Sequence, residues 1–142
     1  MNLQVISFAW KAFEKTNVKS VNLMTNAWDI TILDEHTPIV SVIKPCVVFI
    51  EYFNEKKIIE EEQLVVWGWV VEVVDSEVKI LADMLADKND INKEEELQAV
   101  TKAEEMMEKY KNSKDRVDME KFIEAEDMLL KSVAKLKISD IK

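Results

Sequence analysis

The chain has one cysteine, Cys46, and one histidine, His36, so the only thiol–imidazole nucleophile pair its composition allows is Cys46 with His36. The local run Lys44-Pro45-Cys46-Val47-Val48 matches no nucleophile motif, and both residues are read as structural. One thiol and one imidazole cannot make a disulfide framework, a zinc finger or a His-based metal cage, which need several such ligands at short spacing. Gly68 is the only glycine, where average usage of about 7% predicts roughly ten. Phosphate loops and dinucleotide fingerprints need several glycines so that the backbone can approach the phosphates, and both are excluded. The residue types thus offer no catalytic constellation and no cofactor site.

Charge narrows the partners. Against 19 basic residues stand 28 acidic ones, a net charge of −9. Sequence-independent nucleic-acid binding requires clustered Lys and Arg that displace counterions, and docking on anionic lipid requires the same sign of charge. Neither is expected. The longest uncharged apolar run, Leu64 to Val71, has eight residues, well short of the roughly 18 that span a bilayer. Met1-Asn2-Leu3-Gln4 has no basic region followed by an apolar stretch, so no secretory signal is expected and the compartment is read as cytosolic.

Two kinds of element must position whatever function there is. Residues 1–87 hold 23 Val plus Ile and residues 88–142 hold 7, which places a strand-forming half before a helical one. The pairs Val21/Leu23, Ile30/Ile32, Val71/Val73 and Val78/Ile80 alternate, as on half-buried strands. Ile39 to Ile43, Val47 to Ile50 and Leu64 to Val66 are apolar without alternation and read as strands covered on both faces. Turn residues separate the runs, and Val70 to Leu81 reads as a hairpin with Asp75-Ser76 at its tip. This pattern predicts a sandwich or barrel over residues 1–87.

From Asn92 to Lys111 the apolar positions Leu97, Val100, Ala103, Met107 and Tyr110 recur at helical spacing, with Asp90 or Asn92 as cap. Asn112-Ser113-Lys114-Asp115 ends that helix. A second helix is expected with Asp118 as cap and Phe122, Ala125, Leu129, Val133 and Leu136 as its stripe. Two amphipathic helices joined by a short polar turn form a hairpin spanning residues 88–142. It must pack its stripes together or lay them on another surface.

The order of segments is familiar. Val21-Asn22-Leu23-Met24-Thr25-Asn26-Ala27-Trp28-Asp29 is followed by Ile32-Leu33-Asp34-Glu35-His36-Thr37-Pro38-Ile39, then by Lys44-Pro45-Cys46-Val47-Val48. Gly68-Trp69-Val70-Val71-Glu72-Val73 and Val78-Lys79-Ile80-Leu81-Ala82-Asp83 complete the series. From Val5 to Ile138 the chain resembles the epsilon subunit of F-type ATP synthase, called delta in mitochondria. The resemblance implies an α+β protein of two domains: a ten-stranded β-sandwich over residues 1–87 and a two-helix antiparallel hairpin over 88–142. It implies a non-catalytic place in the central stalk, bound to the gamma subunit and the c-ring of a proton- or sodium-translocating synthase. Coupling of rotation to ATP synthesis, restraint of ATP hydrolysis by the hairpin, and peripheral attachment at the cytoplasmic face of the membrane follow from the same likeness.

Individual residues carry over with it. Asp29, His36, Thr37 and Pro38 match family positions at the end of the sandwich facing the c-ring, an edge that Asp34 and Glu35 make acidic. Lys131, Lys135 and Lys137 match the basic part of the helical domain that meets acidic segments of the beta subunits within the alpha/beta ring. Some members bind ATP through an (Ile or Leu)-Asp-x-x-Arg-Ala motif. Here Ile91-Asn92-Lys93-Glu94-Glu95-Glu96 puts glutamates where Arg and Ala belong, so no ATP sensing is expected.

The tryptophans stand apart. Trp10, Trp28 and Trp69 fall on family glycines, and Trp67 falls on a position usually Ser or Gly. All four are read as candidate UGA codons, translated here as tryptophan where some lineages insert glycine. The rival reading is a β-sandwich binding or adaptor module with an added hairpin, in which Trp67 and Trp69 share one strand face as an aromatic platform.

Overall fold

The computed structural model describes residues 1–140. Ten strands come first: β1 (Asn2–Ser7), β2 (Ala12–Lys15), β3 (Val18–Met24), β4 (Asp29–Leu33), β5 (Ile39–Val42), β6 (Cys46–Phe53), β7 (Ile59–Trp67), β8 (Val70–Val74), β9 (Glu77–Ala82) and β10 (Met84–Ala86). A short 3-10 turn, Lys88–Asp90, leads into α1 (Lys93–Tyr110) and α2 (Arg116–Asp140). The strands form two five-stranded sheets, a first ordered β2-β1-β9-β8-β5 and a second ordered β10-β7-β6-β3-β4. All pairings are antiparallel except β1 with β9, which run parallel in register from Asn2/Glu77 to Ser7/Ala82. The parallel pair joins the beginning and the end of the sandwich.

The alternating pairs point inward as their period requires. Val21, Ile32, Val71, Val78 and Ile80 are fully buried, and Leu23 and Val73 nearly so. Together with Val5, Val48 and Ile50 they form the core between the sheets. Burying each such side chain contributes about 1.5–3 kcal/mol. The β8–β9 hairpin turns at Asp75 and Ser76, both with positive φ (48° and 63°), as two-residue hairpins require.

The non-alternating runs divide into two cases. In β6 and β7, Val48, Ile50, Leu64 and Val66 face the sandwich core, while Val47, Val65 and Trp67 face outward under α2. These strands are covered on both faces, as expected. β5 is not. Val40 and Val42 are 67% and 48% exposed, because β5 is an edge strand of the first sheet and no helix lies over that sheet.

Asn92 caps α1, its side-chain oxygen accepting from the backbone N–H of Glu94 and Glu95. Glu94, Glu95 and Glu96 follow where the helix dipole favours negative charge. The cap of α2 is Asp115, whose carboxylate accepts from the Val117 N–H at 2.8 Å. Asp118, the expected cap, is the third residue of the helix and accepts from the Ser113 hydroxyl at 2.8 Å. The stripe of α2 also differs from expectation. Ala125 is buried as expected, but Ser132 is buried in place of Val133, which is 47% exposed. Small buried residues, Ala103 on α1 with Ala125 and Ser132 on α2, let the two helices approach closely.

Candidate interaction surfaces

The sandwich has two chemically distinct ends. One gathers the β1–β2 turn with Trp10, the β3–β4 turn with Trp28, and the β7–β8 turn with Trp69, tied by bonds from Phe8 N–H to the Ala82 carbonyl (3.1 Å) and from Ile43 N–H to the Trp69 carbonyl (3.1 Å). Asp29, the first residue of β4, belongs to this end. The opposite end holds the turn after β4, with Asp34, Glu35 and His36, beside the β8–β9 and β6–β7 turns. Asp29 and His36 therefore do not share an edge. A five-residue strand separates Asp29 from Asp34, roughly 16 Å of chain. The acidic edge anticipated from Asp29, Asp34 and Glu35 is split, because β4 runs the length of the sandwich.

His36 is half-buried, and its Nδ1 lies 2.7 Å from the Thr37 carbonyl. Thr37 and Pro38 are exposed beside it. The Ser76 hydroxyl, with the Met1 amine 3.6 Å away, holds the Asp34 carboxyl below the usual carboxylate range. An open groove of about 660 Å³ runs past Met1, Val18, Asp34, Phe53 and Asn54 at this end.

The outer face of the first sheet carries an apolar row. Ile6 pairs with Leu81, Leu81 with Val70, and Val70 with Val42, so four strands place four apolar side chains in one line across the sheet. Ile6, Leu81 and Val42 are 41%, 42% and 48% exposed. Phe8 and Trp69 continue the row at the tryptophan end, their rings 5.2 Å apart and tilted 53°. Alternation in β8 and β9 was legible in the sequence, but the lateral alignment of their outward residues with those of β1 and β5 depends on register.

The second sheet is covered instead. Ala134 and Ile138 of α2 pack among Val47, Val65, Trp67 and Ala86, with Phe49 and Ile91 at the border. The three lysines singled out on α2 all face this contact. Lys135 Nζ pairs with Glu96 of α1 at 2.7 Å, both side chains largely buried, and lies 5.2 Å from the Trp67 ring centre. Lys131 pairs with Asp127 (2.7 Å) and lies 5.4 Å from the same ring. Lys137 stands 5.6 Å from the Phe49 ring. Ammonium groups over an indole face are drawn to its electron-rich quadrupole. Trp67 and Trp69 do not form a shared platform: Trp67 is 7% exposed under α2, whereas Trp69 is 54% exposed in the turn beyond β7. The sequence marks Glu96 only as one of the glutamates that replace Arg and Ala, not as a partner of Lys135. Its charge had a dipole reading, and only the 39-residue return of α2 makes it a partner.

Cys46 lies at the edge of this contact, in a cavity of about 210 Å³ also lined by Asp29, Phe49, Val133, Ala134 and Lys137. Burial pushes its thiol pKa up, with the Met24 backbone hydrogen bond acting the other way. A neutral, shielded thiol is a poor nucleophile. Among the described residues no group of three His, Cys, Asp or Glu is placed to hold a metal ion, and no helix is long and apolar enough to cross a membrane.

The fold is thus a two-sheet sandwich with one sheet open and the other covered by a helical hairpin. The family profile described as ATP synthase, Delta/Epsilon chain, beta-sandwich domain matches residues 1–87. Over 134 residues the chain is 33% identical to the ATP synthase epsilon chain of Bordetella parapertussis, covering 94% of this chain and 89% of that one. The Bordetella petrii epsilon chain is 32% identical over the same span. The chain belongs to the ATP synthase epsilon-chain family, a family of non-catalytic subunits.

Solved structures agree on the fold. A chain of the Euglena gracilis mitochondrial ATP synthase superposes with a TM-score of 0.73 at 21% identity, covering 95% of this chain and 78% of that one. A chain from the central stalk and c-ring of the Tetrahymena thermophila mitochondrial synthase gives a TM-score of 0.52 at 18% identity, covering 63% and 67%.

Proposed function

We propose that this chain sits in the central stalk of an ATP synthase, binds the gamma subunit and the c-ring, and couples ion-driven rotation to ATP synthesis while its hairpin restrains ATP hydrolysis. The observation that carries the reading is the asymmetry of the two sheets. The second sheet is occupied by α2, and the first leaves the row Ile6, Leu81, Val70 and Val42 open to a partner. Gamma is assigned to that open face. A contiguous exposed apolar surface on a small acidic protein marks a protein contact. Asp29 at the tryptophan end and His36, Thr37 and Pro38 at the other remain the c-ring candidates, now as two alternative ends rather than one edge. Attachment at the cytoplasmic face of the membrane would then be peripheral, through the complex.

Restraint of hydrolysis is assigned to a hairpin that has left the sandwich. In the docked arrangement Lys131 and Lys135 both lie against Trp67 of the sandwich, so they meet an acidic surface of the alpha/beta ring only after α2 lifts away. The test is a reconstituted synthase carrying either the full chain or a chain ending at Asp87. Both should co-purify with gamma, and hydrolysis should be lower with the full chain. Equal hydrolysis in the two complexes removes the inhibitory assignment, and failure of either chain to bind gamma removes the stalk assignment.

A further inference from the structure

We propose that positions 10 and 69 are glycine in the protein as its own cell makes it, inserted at UGA codons that a different code reads as tryptophan. The inference rests on the backbone and is independent of the partners assigned above.

Trp10 has φ 62° and Trp69 has φ 58°. In this left-handed region the Cβ of an L-residue crowds the following carbonyl, and a bulky side chain there is an outlier. The other non-glycine residues with positive φ among those described are Asn17, Asp75 and Ser76, short polar side chains that turns tolerate, and Glu35 and Lys57, exposed polar chains, so the two tryptophans are the aromatic cases. Burial does not offset the strain at Trp10, which is 98% exposed. Its turn cannot relax, because Ser7 N–H donates to the Lys11 carbonyl (2.9 Å) and Trp10 N–H to the Ser7 carbonyl (3.2 Å).

At position 69 the constraint is tighter. Gly68 (φ 85°) and Trp69 are the two consecutive left-handed residues between β7 and β8. Turns with two such centres are dominated by Gly, Asn and Asp. The conformation is pinned on both sides by Asp83 N–H donating to the Trp67 carbonyl (2.9 Å) and Ile43 N–H to the Trp69 carbonyl (3.1 Å). Trp28 and Trp67 lack this signature. Neither has positive φ, and Trp67 sits in regular strand β7. Composition treats the four tryptophans as one set; the backbone singles out two. Unrelated substitutions have no reason to choose the largest side chain twice at sites suited to the smallest, in a chain with one glycine. A single codon read in two ways does.

The test has two arms. In the gene, codons 10 and 69 should read UGA, and in peptides from protein made in its native cell a hydrogen should replace the indolylmethyl group at each site, with the corresponding loss of mass. UGG codons, or a native peptide that retains the indole, overturn the proposal. The second arm uses full-length recombinant chain. Trp10→Gly and Trp69→Gly should each unfold about 3–6 °C above the matching alanine variant, since alanine keeps the strained Cβ. At Trp28, with ordinary φ, the order should reverse, because glycine there only adds unfolded-state entropy. Alanine variants as stable as glycine variants at 10 and 69 also overturn it.

Discussion

Lys135 connects the docked hairpin to the sandwich and its two helices to each other. Its ammonium joins Glu96 on α1 to the face of Trp67 on β7, so one side chain ties three elements. Exposed ion pairs contribute roughly 0–1 kcal/mol, but this pair is mostly shielded and adds a cation–π contact of about 0.5–1 kcal/mol. Only the Trp67 contact crosses from hairpin to sandwich, so Lys135→Met should weaken docking by about 0.5–1 kcal/mol, while the loss of Glu96's partner loosens α1 against α2. The Cys46 thiol reports the change, since its cavity is walled by Ala134, Val133 and Lys137 of α2. Faster thiol labelling in the variant is expected, and an unchanged rate would show that the Lys135–Trp67 contact does not hold the hairpin. The lysines were visible in the sequence as a basic cluster. Their partners were not, because Glu96 and Trp67 lie 39 and 68 residues away and carry no local mark of that pairing.

Between elements, docking depends on a small apolar seam. Ile138 is 1% exposed among Val47, Val65, Trp67 and Ala86. Ile138→Ala should cost about 2–4 kcal/mol at that seam. The core between the sheets is a separate cluster, so the expected result is a two-step unfolding curve in which the hairpin releases first and the sandwich transition keeps its midpoint. One cooperative transition shifted as a whole would mean that sandwich and hairpin unfold together. Strand identity was legible from period two, and helix identity from the three–four spacing. Which faces would be covered was less so. β5 reads like β6 and β7 in composition, yet it lies on the open sheet, and Ser132 rather than Val133 is buried on α2. A helix face is chosen by its neighbour, and a one-residue rotation of contact changes which side chain turns inward.

For the molecule as a whole, charge is distributed at the surface and sets acid sensitivity. Lys19 and Ser20 hold the Glu51 carboxyl below its ordinary range, Asn54 and Tyr52 do so for Glu60, Ser76 and the terminal amine for Asp34, and Lys11 with the Asp87 backbone for Asp90. A depressed carboxylate pKa stabilises the fold above the unfolded value and loses that contribution as pH falls through the folded value. Stability is expected to decline as pH drops below about 4.5, the upper end of the ordinary carboxylate values here. Urea midpoints at pH 7 and pH 3 test it. Glu51→Gln combined with Asp90→Asn should shrink the difference, and an identical difference in the variant would exclude these two groups as contributors. The Lys11–Asp90 pair also links the β1–β2 turn to the segment entering α1, so acid should loosen the junction between sandwich and hairpin.

Local chemistry, written in residue types and their spacing, determined much by itself: a strand-rich half before a helical half, the inward residues of alternating strands, a cap of α1 at Asp90 or Asn92, the lack of a metal or phosphate motif, and the family. Those properties depend on neighbours a few residues apart, where period and propensity act. The tertiary structure alone decided which sheet stays open, that Asp29 and His36 face opposite ends, that the basic residues of α2 are partnered by Glu96, Asp127 and Trp67, and that two of four tryptophans occupy glycine-like backbone. Each of those outcomes depends on register and on chain segments returning from tens of residues away, where no local pattern records the partner.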